Sequence, residues 1–221
     1  DAAQSLERIA VYRPGRDETR LRQLELLSAL RGALGRGEFS LAYQPKVDHA
    51  GRLVHVEALL RWNSPSLGRV GPDEFIPLAE KVGLIQLMGR HAAHAAAQLA
   101  AACAELGHAL PVAVNLSPKQ LLQPELDGLL LHACRRHSVS PAMLELELTE
   151  SALVHNMDIV TPMLHRLRSH GFSLALDDFG TGYSSLSYLR HLPFDKVKID
   201  RSFVMDIGRD PAASRLLESI V

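Results

Sequence analysis

The chain has 221 residues, 47% of them hydrophobic, with 24 Lys and Arg against 25 Asp and Glu and a formal net charge of -1. That is enough apolar content for one sizeable core, and the charge balance excludes a polymer-like grip on nucleic acid or a basic patch lying on a membrane. Cys103 and Cys134 are the only cysteines; without CxxC spacing they predict free thiols in a reducing cytoplasm rather than a disulfide framework or thiolate metal site. No signal peptide or membrane-spanning run is visible, so a membrane anchor of a full-length protein would lie outside this segment.

Residues 1–20 end in YRPGRDETR, which is polar and aperiodic and predicts a linker or the tail of an upstream domain. From Leu21 a helical pattern, LRQLELLSALRGAL, runs to a stop near Gly35 and Gly37. Strand-like runs follow at FSLAYQP, LVHVEALLRW, LPVAVNLS, MLELELTE, FSLALDD and KVKID. The first two lie close together, and longer helix-like stretches separate most of the others, among them LMGRHAAHAAAQLAAACAEL, PELDGLLLHACRRH and NMDIVTPMLHRLRSHG. Strands alternating with helices argue for an α/β fold with a mainly parallel sheet. A further helical start, PAASRLLESIV, closes the chain after six predicted strands. An open doubly wound sheet can end there, whereas a (β/α)8 barrel needs two more strands.

Successive side chains of a strand point to opposite faces. Val54, Val56 and Ala58 oppose His55, Glu57, Leu59 and Arg61; Val112 and Val114 oppose Ala113 and Asn115. Leu144, Leu146 and Leu148 oppose Glu145, Glu147 and Thr149; Leu174 and Leu176 oppose Ala175 and Asp177; Val197 and Ile199 oppose Lys196 and Lys198. A one-sided antiparallel sheet also alternates in this way. The helical crossovers instead favour parallel strands whose polar face points into a barrel, where active sites form at the carboxyl ends. Asp177 falls on that inner face, and Asp178 follows where the strand gives way to Gly180 and Gly182. Adjacent carboxylates repel each other and are costly to bury without a cation. Glu57, Asn115, Glu147, Asp177 and Asp178 make an all-oxygen set that suits hard cations such as Mg²⁺ or Mn²⁺. Two such ions sharing a carboxylate would suit phosphodiester hydrolysis.

The segments YQP (43–45), EALLRW (57–62), FIPLAE (75–80), VNLSP (114–118), ELTES (147–151), DDFGTGYSSL (177–186) and LPFDKVKID (192–200) together resemble the EAL domain family, the phosphodiesterases that open cyclic di-GMP. The resemblance covers about residues 21–221. It implies a (β/α)8 TIM-type barrel with its first strand antiparallel, two metal ions, and linear pGpG as product. It implies Glu57, Asn115, Glu147 and Asp177 as metal ligands, with Asp177 bridging to a second ion that Asp178 also holds. Glu57, Asp177 and Lys198 would be catalytic, with Lys198 orienting or polarising the attacking water. Gln44, Leu59 and Arg61 would bind substrate, Arg61 on a phosphate. Glu150 and the loop Phe179, Gly180, Thr181, Gly182, Tyr183 and Ser184 would support the second-metal site and a homodimer face. An upstream GGDEF or sensor domain is the implied neighbour.

The family also supplies a further Glu from strand seven and a Gln from strand eight, and neither motif lies within these 221 residues. The expectation is therefore six of eight barrel strands, residues 21–221 being an EAL domain without its last strands. A receptor that binds cyclic di-GMP without cleaving it is the alternative, and a related metal-dependent phosphodiesterase with another substrate is a lesser one. Glu145 is expected deeper in the barrel, paired with Lys196 or Lys198. Tyr43 and Trp62 are expected to pack. His91 and His94 stand three apart with no third ligand nearby, which favours an ordinary helix surface over a metal site.

Overall fold

A computed structural model describes residues 16–154, 157–180 and 192–205. Thr181, Gly182, Tyr183 and Ser184 of the expected loop, the linker up to residue 15 and the helical start PAASRLLESIV lie outside the described residues. The chain divides into two compact units, Asp1–Ser40 with Arg61–Val82 and Leu41–Leu60 with Gly83–Val221. Strands β1 (Phe39–Val47) and β2 (Leu53–Ser64) each run from one unit into the other.

In the first unit, helix α1 (Arg16–Leu30) begins five residues before the apolar pattern does, inside the stretch expected as a linker. The run RDETR lacks apolar periodicity but contains good helix formers, so it extends the helix without advertising it. Strand β3 (Gly68–Val70) pairs antiparallel with the end of β2, Trp62 opposite Val70. Helix α2 (Pro72–Lys81) starts on a proline whose fixed φ suits the first helical position, with Asp73 and Glu74 in its first turn and Lys81 in its last, as the helix dipole favours. Phe39, Trp62 and Phe75 pack with ring centroids 5.6 to 5.9 Å apart. The buried indole N–H of Trp62 donates to Glu38 Oε2 at 2.9 Å, so the packing expected of Trp62 leaves no polar atom unsatisfied.

The second unit carries β4 (Val112–Asn115), β5 (Leu144–Thr149), β6 (Ser173–Phe179) and β7 (Lys196–Ile199). The strand order is β1-β2-β4-β5-β6-β7, with β3 off this path, so the path holds the six expected strands. Strands β2, β4, β5, β6 and β7 pair in parallel. β1 and β2 are neighbours joined only by residues 48–52, too short for a parallel crossover, and the first strand is antiparallel. Asp48 builds that turn: its Oδ1 accepts the N–H groups of Ala50 and Arg52 at 2.9 Å each, and Gly51 takes φ 76°. Tyr43, expected to pack, is instead 41% exposed on this first strand.

Helices α3 (Ile85–Glu105), α5 (Leu126–Arg136) and α7 (Met157–Ser169) fall between the parallel strands; the one-turn helices α4 (Pro118–Leu121) and α6 (Ser151–Val154) follow β4 and β5. The core lies on the apolar strand face, where Val112, Val114, Leu144, Leu146, Leu148, Leu174 and Leu176 are fully buried. Ala92, Ala93, Ala96, Ala97 and Ala100 of α3 join the same core, their small side chains allowing the helix close to the sheet. This order of elements is the α/β pattern of a (β/α)8, TIM-type barrel with an antiparallel first strand.

Candidate active site

The opposite face of the same strands carries the charge. In β2 the burial alternates, Val56, Ala58, Trp62 and Ser64 being buried while Glu57, Leu59 and Arg61 are half-buried. The parallel register sets Glu57 beside Ala113, Asn115 beside Glu147, and Thr149 beside Asp177. Small residues at 113 and 175 leave room between the long acidic side chains.

Those side chains converge. Glu57, Glu147 and Asp177 each offer a carboxylate oxygen, all within 4.8 Å of one another. Lys198 Nζ lies among them, 3.2 Å from Glu57 Oε2, 2.6 Å from Glu147 Oε2 and 2.7 Å from Asp177 Oδ2. Asn115 Nδ2 donates to Glu57 Oε1 at 2.9 Å. Burial opposes the Lys198 ammonium, but hydrogen bonds to Asp177 and Glu147 and the charges of Glu147 and Glu57 outweigh it and raise the pKa well above the ordinary lysine value. Glu147 is fully buried, and that burial, aided by the charge of Glu57, raises its pKa despite both lysines that touch it.

Asp178 reaches its place through a break in the strand. The β6–β7 register shifts between Leu176 and Phe179, and Asp178 has φ 53°, a left-handed conformation that Asp tolerates better than most residues. Its N–H donates to Asp177 Oδ1 at 2.9 Å, and the residue as a whole is exposed. Burial first, then the charges of Asp177 and Asp200, raise its pKa. Buried Glu150 ties the strand ends together: its N–H donates to Asp177 O at 3.2 Å and its Oε2 accepts the Gly180 N–H at 3.0 Å. Phe179, expected in the loop, ends β6 and is buried in the apolar core.

The structure thus brings together Glu57, Asn115, Glu147, Asp177 and Lys198, with Asp178 adjacent. Gln44 is exposed on β1, and Leu59 and Arg61 follow Glu57 on β2. One contact was not foreseen: Lys46 of β1 hydrogen-bonds Glu147 Oε1 and reaches Glu145 Oε1 at 3.3 Å. Strand parity was the available signal, since Lys46 shares the face of Gln44. Glu145 is paired as expected with Lys196, whose Nζ also lies 3.0 Å from His55 Nε2.

The ligand atoms at the convergence point are the carboxylate oxygens of Glu57, Glu147 and Asp177, and among the described residues no other cluster of three or more His, Cys, Asp or Glu has metal-site spacing. The donor set fits a hard divalent cation.

A family model described as the EAL domain matches residues 27–221. The chain is 44% identical over 198 residues to the cyclic di-GMP phosphodiesterase NbdA of Pseudomonas aeruginosa, covering 89% of this chain and 25% of that protein. It is 42% identical over 201 residues to the bifunctional diguanylate cyclase/cyclic di-GMP phosphodiesterase MucR of the same organism, covering 90% of this chain and 29% of MucR. The solved PaMucR phosphodiesterase, in its c-di-GMP complex, superposes with a TM-score of 0.83 at 41% identity, covering 89% of this chain and 80% of that one. The chain therefore spans less than a third of the length of these two curated relatives.

Proposed function

Because the chain belongs to the EAL domain family, we propose that it is a metal-dependent phosphodiesterase that opens cyclic di-GMP to linear pGpG. The observation that carries the proposal is the convergence of Glu57, Glu147 and Asp177 on one point. Glu57, Asn115, Glu147 and Asp177 would hold one Mg²⁺ or Mn²⁺ ion, and Asp177 with Asp178 a second. Such ions, when bound, supply Lewis-acid charge to a phosphoryl oxygen and lower the pKa of water.

The chain's own residues do the rest. Asn115 donates its amide N–H to Glu57, which orients that carboxylate and leaves the amide oxygen available to a cation. Lys198 stays protonated at neutral pH, so it acts as a fixed positive charge that orients water or phosphate oxygen and not as a base. Arg61 would clamp a phosphate with two parallel N–H bonds, which a lysine cannot do. Gln44 and Leu59 would complete the substrate contacts. Glu150, through Gly180, would steady the turn that presents Asp178 and would support a homodimer face. An upstream GGDEF or sensor domain and a cytoplasmic setting complete the proposal. The thiols Cys103 and Cys134 are unpaired, and no described helix is long and apolar enough to cross a membrane.

The test is hydrolysis of cyclic di-GMP with Mn²⁺ or Mg²⁺, with binding measured in parallel. Glu57→Ala is expected to lower turnover at least about 1,000-fold, roughly 4 kcal/mol of transition-state stabilisation. An unchanged rate in that variant would overturn the site. Binding without pGpG formation by the parent chain would favour the receptor reading instead.

A further inference from the structure

The geometry points to Lys46 as a positioning residue that sets the orientation of the Glu147 carboxylate toward the metal site. This rests on the metal reading above and extends it to a residue outside the ligand set. Glu147 has two carboxylate oxygens and is held from both sides. Lys46 takes Oε1, and Oε2 faces the convergence point, where Lys198 Nζ lies 2.6 Å away. The last torsion of a glutamate is broad and roughly two-fold, so packing alone sets the carboxylate plane weakly. A cation fixed on one oxygen sets it strongly, and directs the other oxygen to a chosen place.

Lys46 is well placed to do this. Its side chain is 25% exposed against 0% for Glu147, so the ammonium is anchored at its far end inside the sheet. Its second partner, Glu145 Oε1 at 3.3 Å, comes from two residues earlier on the same strand and holds the ammonium in register with β5. Neutralising a buried acid is a simpler role, and Lys196 shows what that looks like. Lys196 pairs with Glu145 Oε2 and His55 Nε2, and among the described residues it makes no bond to Glu147. The two lysines thus share one buried glutamate and differ in their reach to Glu147.

The experiment compares Lys46→Met with Lys196→Met, reading Mn²⁺ affinity by calorimetry and the melting temperature in chelator. Both variants are expected to melt lower than the parent. Lys46→Met is expected to weaken Mn²⁺ binding about 10- to 100-fold, the usual cost of removing a group that orients a ligand. Lys196→Met is expected to leave the affinity unchanged. If Lys46→Met melts too low to titrate, Lys46→Gln, which removes the charge but keeps N–H donors, takes its place, and an affinity loss in the same direction is expected. An unchanged or tighter Mn²⁺ affinity without Lys46, or an equal loss in both single variants, would overturn the inference while leaving the metal site intact. Absence of Mn²⁺ binding by the parent chain would overturn both.

Discussion

Glu145 and Glu147 sit two residues apart on β5, face the same way, and are 2% and 0% exposed. Their environments nevertheless push them in opposite directions. Burial raises the pKa of Glu145, but the hydrogen bond and charge of Lys196, with Lys46 and His55, outweigh it and the net shift is downward. Glu147 shifts upward, because burial is stronger and Glu57 adds a like charge that its two lysines do not cancel. Glu145 is matched one to one by Lys196, with Lys46 shared between it and Glu147. Glu57, Glu147 and Asp177 meet Lys198 and the shared Lys46, three carboxylates for two ammonium groups. A structural ion-pair layer is balanced; a layer left with surplus negative charge is prepared for a cation that the chain itself does not supply.

The sharpest way to break this contrast is to neutralise each glutamate separately. Glu147→Gln is expected to lower cyclic di-GMP turnover at least about 1,000-fold while leaving the metal-free melting temperature unchanged or raised. Glu145→Gln is expected to retain most activity and to cost about 1–3 kcal/mol of stability, since Lys196 loses its charged partner. Comparable stability losses in both would show that the two layers do the same job.

The pH dependence sharpens the same comparison. A glutamate whose folded pKa lies above its ordinary value near 4.5 binds a proton more readily folded than unfolded. Glu147 therefore costs stability above its raised pKa, and that cost fades as pH falls through it toward 4.5. In chelator, the advantage of Glu147→Gln over the parent should be largest at neutral pH and shrink on acidification. A difference independent of pH would mean the Glu147 charge is fully compensated. His55 has the opposite sign: burial lowers its pKa below 6.5, so its contribution is lost as pH falls below that value. It cancels when variant and parent are compared.

The smallest expected effect lies in the apolar core. Burial pushes the Cys134 thiol up to about 11, whereas Cys103 is partly exposed. Thiol titration near pH 8 should show one fast and one slow group, the slow one reacting only on unfolding. Two equally fast thiols would mean that the face packed by α5 opens readily.

Much of the second unit was legible from sequence, because its parallel strands are short, alternating and separated by helices with apolar stripes. Glu57, Asn115, Glu147, Asp177 and Lys198 could be grouped from strand parity alone. Other features carried no local signal. Strand β3 has three residues, too few for a period. Helix α2 contains Pro77, which argues against a helix interior. The Lys46 contact spans 101 residues, and only the strand pairing brings it into being. The left-handed Asp178 is a property of the β6 break, which the pair of acids hinted at without defining. Phe179 stands inside the motif DDFGTGYSSL but packs into the core.

The most direct test of the surplus-charge account is a Mn²⁺ titration followed by the melting temperature, for the parent chain and Glu147→Gln. The account predicts that Mn²⁺ raises the parent's melting temperature progressively, by about 2.7 kcal/mol of stabilisation at a hundred times the dissociation constant, and leaves Glu147→Gln nearly unmoved. An equal rise in both, or no rise in the parent, would contradict it.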